Sequence, residues 1–232
     1  MKRKLVLFDV DGTILLPAGA GRRAIFAALS EEIADVTPLD RIRFDGKTDP
    51  EIVAELLAAV GQPEPRDSPR VWRLCQRYVA HLARELGLPT ARTTVMPGVL
   101  PLLDRLQEEG SVVLGLLTGN VAQGAVLKLR AGGIDPARFP VGAYGSDAGY
   151  RHELPPIAAG RAQPIFGRVP TGAEVVIIGD TPADIGCGTG ISARAVAVAT
   201  GSYSVAELTA CGPHAAFEDL SHTDRVLEAI LG

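Results

Sequence analysis

No apolar stretch in this chain approaches the roughly 18 residues that a membrane-crossing helix requires. Nor does an apolar segment follow Met1-Lys2-Arg3-Lys4 in the manner of a secretory leader, so the expected location is cytoplasmic. A basic surplus is also missing: 23 Lys and Arg stand against 27 Asp and Glu, for a net charge of -4. That balance leaves no electrostatic footprint for nucleic acid or an anionic membrane, so an anionic small molecule must be met by local charges. Cysteine is scarce as well. Cys75, Cys187 and Cys211 are odd in number and lack a Cys-x-x-Cys pair. This fits a reducing compartment, argues against a zinc site and leaves the three as filler. There is no internal repeat and no low-complexity tract, and oligomeric state is not legible.

What is present begins at Leu5-Val6-Leu7-Phe8-Asp9-Val10-Asp11-Gly12-Thr13, where an apolar run stops on two carboxylates, a glycine and a hydroxyl. Continuous apolar residues suit a strand covered on both faces of a parallel sheet, and ligand chemistry in such sheets collects at the carboxyl ends of strands. Gly12 lets the chain leave the pleat, so that Asp9 and Asp11 converge on one point. Two converging carboxylates repel unless a cation lies between them. A hard divalent ion such as Mg2+ accepts their oxygens and keeps waters that a phosphate can replace. The plainer alternative is an acidic Asp-Gly turn after a strand.

The pattern along the chain divides in two. Residues 19–91 read as helical, with three-to-four spacing over Arg22–Ile33, Asp49–Val60 and Arg70–Leu86 and no convincing strand between them. From Val95 onward strands and helices alternate: helix Val99–Glu108, strand Val112–Leu117, helix Ala122–Ala131, strand Val141–Tyr144, helix Leu154–Arg161, and strands Glu174–Ile178 and Ala193–Ala199. Such alternation predicts βαβ units and a parallel sheet. The expected fold class is therefore α/β. A parallel-sheet core from residues 1–16 and 95–232 carries an all-helical insert over 17–94, joined through Pro17–Gly21 and Arg92–Gly98. Trp72 and Tyr78 are expected to pack the insert's interior.

Two further apolar runs end in polar residues. Val112–Leu117 leads into Thr118-Gly119-Asn120, where a hydroxyl and backbone N–H groups suit a phosphate oxygen, or where Asn simply caps the next helix. Val175–Ile178 leads into Gly179-Asp180-Thr181-Pro182-Ala183-Asp184. If a helix starts just after Asp180, Asp184 falls on the same side and supports the same cation, or it serves as an acidic helix cap. Parallel strands bring all three ends to one sheet edge. A positive side chain is also needed near phosphate. Arg151 sits in a loop at that edge, whereas Lys128 lies mid-helix, where lysine is usually solvated, so Arg151 is preferred. His152 receives no role.

The ordered set Asp9-Val10-Asp11-Gly12-Thr13, Leu117-Thr118-Gly119-Asn120 and Gly179-Asp180-Thr181-Pro182-Ala183-Asp184 resembles the three motifs of the haloacid dehalogenase-like hydrolase superfamily. The resemblance spans nearly the whole chain and implies a Rossmann-like three-layer core with a helical cap inserted after the first motif. It further implies Asp9 as nucleophile, forming an aspartyl-phosphate, and Asp11 as general acid and base. Mg2+ would be held by the Asp9 carboxylate, the Asp11 carbonyl and Asp180, with Asp184 assisting. Thr118, Gly119 and Asn120 would bind phosphate, and Arg151 would take the place of the remaining motif's basic residue. An acid at Asp11 favours phosphoryl transfer over dehalogenation, since a halide leaves without a proton. Arg43-Phe44-Asp45-Gly46-Lys47-Thr48-Asp49-Pro50 resembles the substrate-facing loop of phosphoglycolate phosphatase-like members, which implies Lys47 as the contact for a substrate anion. The expected activity is Mg2+-dependent hydrolysis of a small phosphorylated metabolite. A phosphomutase acting on a sugar phosphate and a non-catalytic protein that retains the pocket are the alternatives.

Overall fold

The computed structural model describes residues 3–36, 39 and 41–232; Met1 and Lys2 of the leader reading lie outside them. The opening run forms β1 (Lys4–Phe8), every residue of which is buried. It lies centrally because both its faces are apolar. Among the described residues β1 belongs to a six-stranded parallel sheet of order β5-β4-β1-β6-β7-β8, whose other strands are β4 (Val112–Thr118), β5 (Val141–Tyr144), β6 (Val175–Gly179), β7 (Arg194–Val198) and β8 (Ala215–Phe217). The three runs that end in acids or hydroxyls are thus immediate neighbours, with Phe8 opposite Leu116 on one side and Ile178 on the other.

The two-residue period of a strand sorts the core into layers. Val6, Phe8, Leu114, Leu116, Val176 and Ile178 face one way, against residues of α4 (Val99–Glu108), α5 (Ala122–Ala131) and α9 (Thr223–Leu231). Leu5, Leu7, Val113, Leu117, Val175 and Ile177 face the other way, against α6 (Leu154–Phe166) and Cys187 at the end of α7 (Pro182–Cys187). The fold class is therefore α/β with a three-layer Rossmann-like core, as expected. A short α8 (Val205–Ala210) completes the helices of the described residues, and none of those helices is long and apolar enough to cross a membrane.

Between β1 and α4 come α1 (Ala20–Ser30), α2 (Asp49–Ala59) and α3 (Pro69–Gly87), which share an apolar cluster of Ile25, Leu29, Leu56, Leu57, Leu74, Tyr78 and Leu82 that also takes in Val121 just before α5. Thr48 and Ser68 accept the N–H groups of Glu51 and Val71, and a proline follows each within the first turn, which fixes where α2 and α3 start. Tyr78 is fully buried and Trp72 packs against the same cluster, as expected of both.

No strand interrupts the described residues of 19–91, but two short strands that the sequence did not reveal flank that stretch. β2 (Leu15–Leu16) and β3 (Thr94–Val95) form an antiparallel pair where the chain enters and leaves the helical region. Two residues are too few to show a period, and their pairing depends on two segments about 80 positions apart lying side by side. α6 also runs past Arg161 to Phe166, since Pro164 lies so near the helix end that little of the ladder follows it, and Gly167 ends it at φ 76°. The cysteines form no disulfide among the described residues, and burial pushes the Cys187 thiol up to about 12, which suits filler.

Candidate active site

At the carboxyl end of β1 the chain turns at Gly12, which takes φ +84°. A Cβ on Gly12 would lie 2.3 Å from Asp180 Oδ2, so this position requires glycine both for its backbone angle and for room. Contrary to the expectation that they converge on one point, the turn separates the two acids, because Asp11 is drawn to Lys128 and Asn120. Asp9, 5% exposed, faces Asp180 and Asp184, and one oxygen of each of these three carboxylates lies within 4.8 Å of the others. Asp11 points elsewhere: its Oδ2 accepts from Lys128 Nζ at 2.6 Å and from Asn120 Nδ2 at 2.7 Å.

Lys128 corrects a sequence expectation. It is 4% exposed, and its ammonium also donates to Asn120 Oδ1 at 2.6 Å, so it is a site residue and not a solvated one. The signal was available: Lys128 shares the buried stripe of α5 with Gly124, Ala125 and Leu129. Arg151 enters the same centre from the other side. Its Nη2 lies 3.1 Å from Asp9 Oδ1, donates to Leu117 O at 3.3 Å and makes a short ion pair with Asp184. The site thus holds both cations, and the preference for one of them falls away.

Asn120 does not cap α5 with its side chain, since the residue before that helix is Val121 and the Asn120 amide is spent on Asp11, Lys128 and Thr118 Oγ1. Thr118 is fully buried at the end of β4. Asp184 meets its reading as an acidic helix cap and also stands in the carboxylate cluster. Its Oδ2 accepts the Thr181 N–H at 3.0 Å and the Thr181 hydroxyl at 2.6 Å, forming a capping box for α7, while its Oδ1 receives Arg151. Thr13 donates to Asp180 Oδ1 at 2.9 Å.

The electrostatics follow from crowding acids in a dry place. Burial first, then the Asp184 and Asp11 charges, push Asp9 up to about 6, against the pull of Arg151. Burial with the Asp184 and Asp9 charges pushes Asp180 up to about 8. Burial works against the charge on Arg151, yet Asp184 and Asp9 outweigh it and raise its pKa. One guanidinium does not balance three carboxylates. An all-oxygen donor set with excess negative charge fits a hard divalent cation, so the cluster can bind a metal.

Above these groups lies a cavity of about 300 Å³, bounded by Asp9, Asp11, Thr118 and Lys128 below and by Arg22, Phe44, Lys47 and Tyr78 from the helical region above. Lys47 lines it with its ammonium 2.5 Å from Glu55 Oε2. The residue that sequence reading passed over is Asp49. It is 5% exposed, lines the cavity, and accepts the Val121 N–H at 2.8 Å. Burial pushes it up to about 7 although Lys128 and that hydrogen bond favour its ionised form. An acid in the first turn of a helix ordinarily serves the helix dipole, so its spacing carried no other signal.

The pattern of the haloacid dehalogenase-like hydrolases matches residues 6–189, most of the chain, and the chain belongs to that family. A phosphoglycolate phosphatase of Cereibacter sphaeroides is 36% identical over 106 residues, which is 45% of this chain and 46% of that protein. The chain therefore aligns with about half the length of that relative. A hydrolase from Pseudomonas syringae shares the fold at TM-score 0.73 and 21% identity, covering 98% of each chain. CbbY from Rhodobacter sphaeroides, solved in complex with phosphate, matches at TM-score 0.71 and 17% identity over 94% of this chain and 95% of its own.

Proposed function

We propose that the protein is a Mg2+-dependent phosphatase that hydrolyses a small phosphorylated metabolite through an aspartyl-phosphate, with a phosphoglycolate-like compound as substrate. The observation that carries this is the division of labour at the end of β1, where Asp9 faces the metal-competent acids and Asp11 is turned toward Lys128 and Asn120. The name of the Cereibacter relative supports the substrate class. Residues 1–16 and 95–232 serve as the catalytic core and 17–94 as its cap.

Asp9, Asp180 and Asp184, with the Asp11 carbonyl, would hold Mg2+, which supplies charge neutralisation for the transferring phosphoryl group. In the first step an Asp9 oxygen attacks phosphorus, the bond to the ester oxygen breaks, and the leaving alcohol takes its proton from Asp11. In the second, Asp11 takes a proton from the attacking water, the Asp9–phosphorus bond breaks, and phosphate leaves. Lys128 and Asn120 hold the Asp11 carboxylate in place for both transfers. The Thr118 hydroxyl and the N–H groups of Gly119 and Asn120 bind phosphoryl oxygens, and Arg151 fixes the orientation of Asp9 and shares the charge. Lys47 receives a second anionic group of the substrate, and the cap excludes water.

Phosphate release from 2-phosphoglycolate and from an aryl phosphate, with Mg2+ and with EDTA, tests this. EDTA is expected to abolish release, and Asp9→Asn to lower it by at least about 10⁴-fold, as loss of a nucleophile does. Turnover indifferent to EDTA, or retained by Asp9→Asn, contradicts the proposal. Interconversion of sugar-phosphate isomers without free phosphate would reassign the chain as a mutase.

A further inference from the structure

Among the joints between the helical region and the core, the one at Thr48 and Asp49 engages backbone groups of the sheet loops. The Asp49 N–H donates to Gly119 O at 2.7 Å, the Val121 N–H donates to Asp49 Oδ2 at 2.8 Å, and Thr48 Oγ1 donates to Gly149 O at 2.9 Å. The fit leaves no slack: a Cβ on Gly119 would lie 2.0 Å from Lys47 O. Asp49 stands first in α2, yet its carboxylate serves a different helix. Val121, the residue before α5, offers no side-chain cap of its own, and α5 is the element that carries Lys128 to Asp11. What holds the start of α5 comes from elsewhere, namely Asp49 on Val121 and the Ser146 hydroxyl on the Ala122 N–H at 3.2 Å.

We propose that Asp49 is a positioning residue that latches the helical region onto the turn 118–121 and so holds the phosphate-binding turn and Lys128 in their working arrangement. The inference rests on the phosphatase reading for its kinetic consequence, while the latch itself is a matter of hydrogen bonds. The Asp49 carboxylate makes its hydrogen bond to the Val121 N–H and none to Asp9 or Asp11. Its effect passes through Gly119 and Val121 to Thr118 and Asn120, and along α5 to Lys128 and then Asp11. Because the carboxylate acts here as an acceptor, an amide in its place preserves the contact and a methyl group does not.

The experiment compares Asp49→Ala, Asp49→Asn and the wild-type protein by steady-state kinetics on 2-phosphoglycolate with Mg2+, and by amide hydrogen exchange of peptides covering 118–128. Asp49→Ala is expected to lose about 10- to 100-fold in kcat with KM little changed, the size expected when reacting groups are displaced by about an ångström. Asp49→Asn is expected to restore most of that kcat, and exchange over 118–128 to quicken in the Ala variant alone. A merely structural role would lower the melting temperature without this split or the rescue. Should Asp49→Ala not fold, Asp49→Ser, too short to reach the Val121 N–H, takes its place. A folded Ala or Ser variant with wild-type kcat overturns the proposal, as does unchanged exchange over 118–128. If the wild-type protein releases no phosphate from any ester, the phosphatase reading fails, and the exchange arm still decides the latch.

Discussion

The helical insert and the sheet core solve the same burial problem in different ways. Each sheet strand of the centre is covered on both faces, so its side chains are divided between two apolar layers and its polar groups are driven to the ends. In the insert α1 and α3 bury one stripe each, and α2 most of its length, in a cluster shared with Val121. Their outer faces carry ion pairs such as Arg23–Glu85, Arg70–Glu32 and Arg77–Glu32. The contrast shows why the acidic cluster sits on the core and only the upper wall of the cavity on the insert. Strand ends fix carboxylates on a rigid sheet, whereas the insert's cluster reaches the core through Val121 and Leu127.

After the loss expected of Asp9→Asn, the next largest effect also lies on the core side. Asp11→Asn leaves the Asn120 and Lys128 contacts nearly isosteric but removes the proton carrier, and should lower kcat by about 10²- to 10⁴-fold on an alkyl phosphate. Activated aryl phosphates, whose leaving groups need no proton, should suffer less in the first step. Equal losses on both would deny Asp11 the acid's part.

Packing variants probe the independence of the two cores. Leu7→Ala and Leu57→Ala each empty a fully buried site and should cost about 2–5 kcal/mol. The first should lower protection from hydrogen exchange throughout the sheet, and the second chiefly over 20–87. If Leu57→Ala loosens β1, β4 and β6 equally, the insert is not a separate unit.

A smaller effect concerns pH. Asp49 binds its proton more tightly folded than unfolded, with a folded value of about 7 against an ordinary carboxylate's 3.8. Its contribution to stability is therefore complete below about pH 4 and is lost as pH rises toward 7. Relative to Asp49→Asn, the wild-type protein should lose about 2 kcal/mol between pH 5 and pH 8, read from denaturant midpoints with unchanged slopes. An unchanging difference between the two proteins would place the Asp49 carboxyl in a wetter environment than the one described.

Much of the centre was legible because apolar runs that stop on Asp, Thr or Gly are strong signals. Asp9, Asp11, Thr118, Asp180 and Asp184 all meet at one sheet edge, and the order of the elements anticipated the parallel sheet. Arg151 was placed by its loop. Lys128 was misjudged because a lysine in mid-helix ordinarily faces water, and Asp49 because its partners, Gly119 and Val121, lie 70 positions or more away in the chain. The pairing of Leu15–Leu16 with Thr94–Val95 was hidden by the same distance.

Local sequence determined what is periodic or abrupt: which segments are strands, where they end, and that acids stand at those ends. It did so because backbone geometry and burial act over a few neighbouring residues. Tertiary structure alone decided which cation faces which acid, that Lys128 and Arg151 share one centre, and that Asp49 of the insert holds the start of α5. Charges and hydrogen bonds depend on distances in space, and those are set only when β4 and β6 close on β1 and the helical insert settles over them.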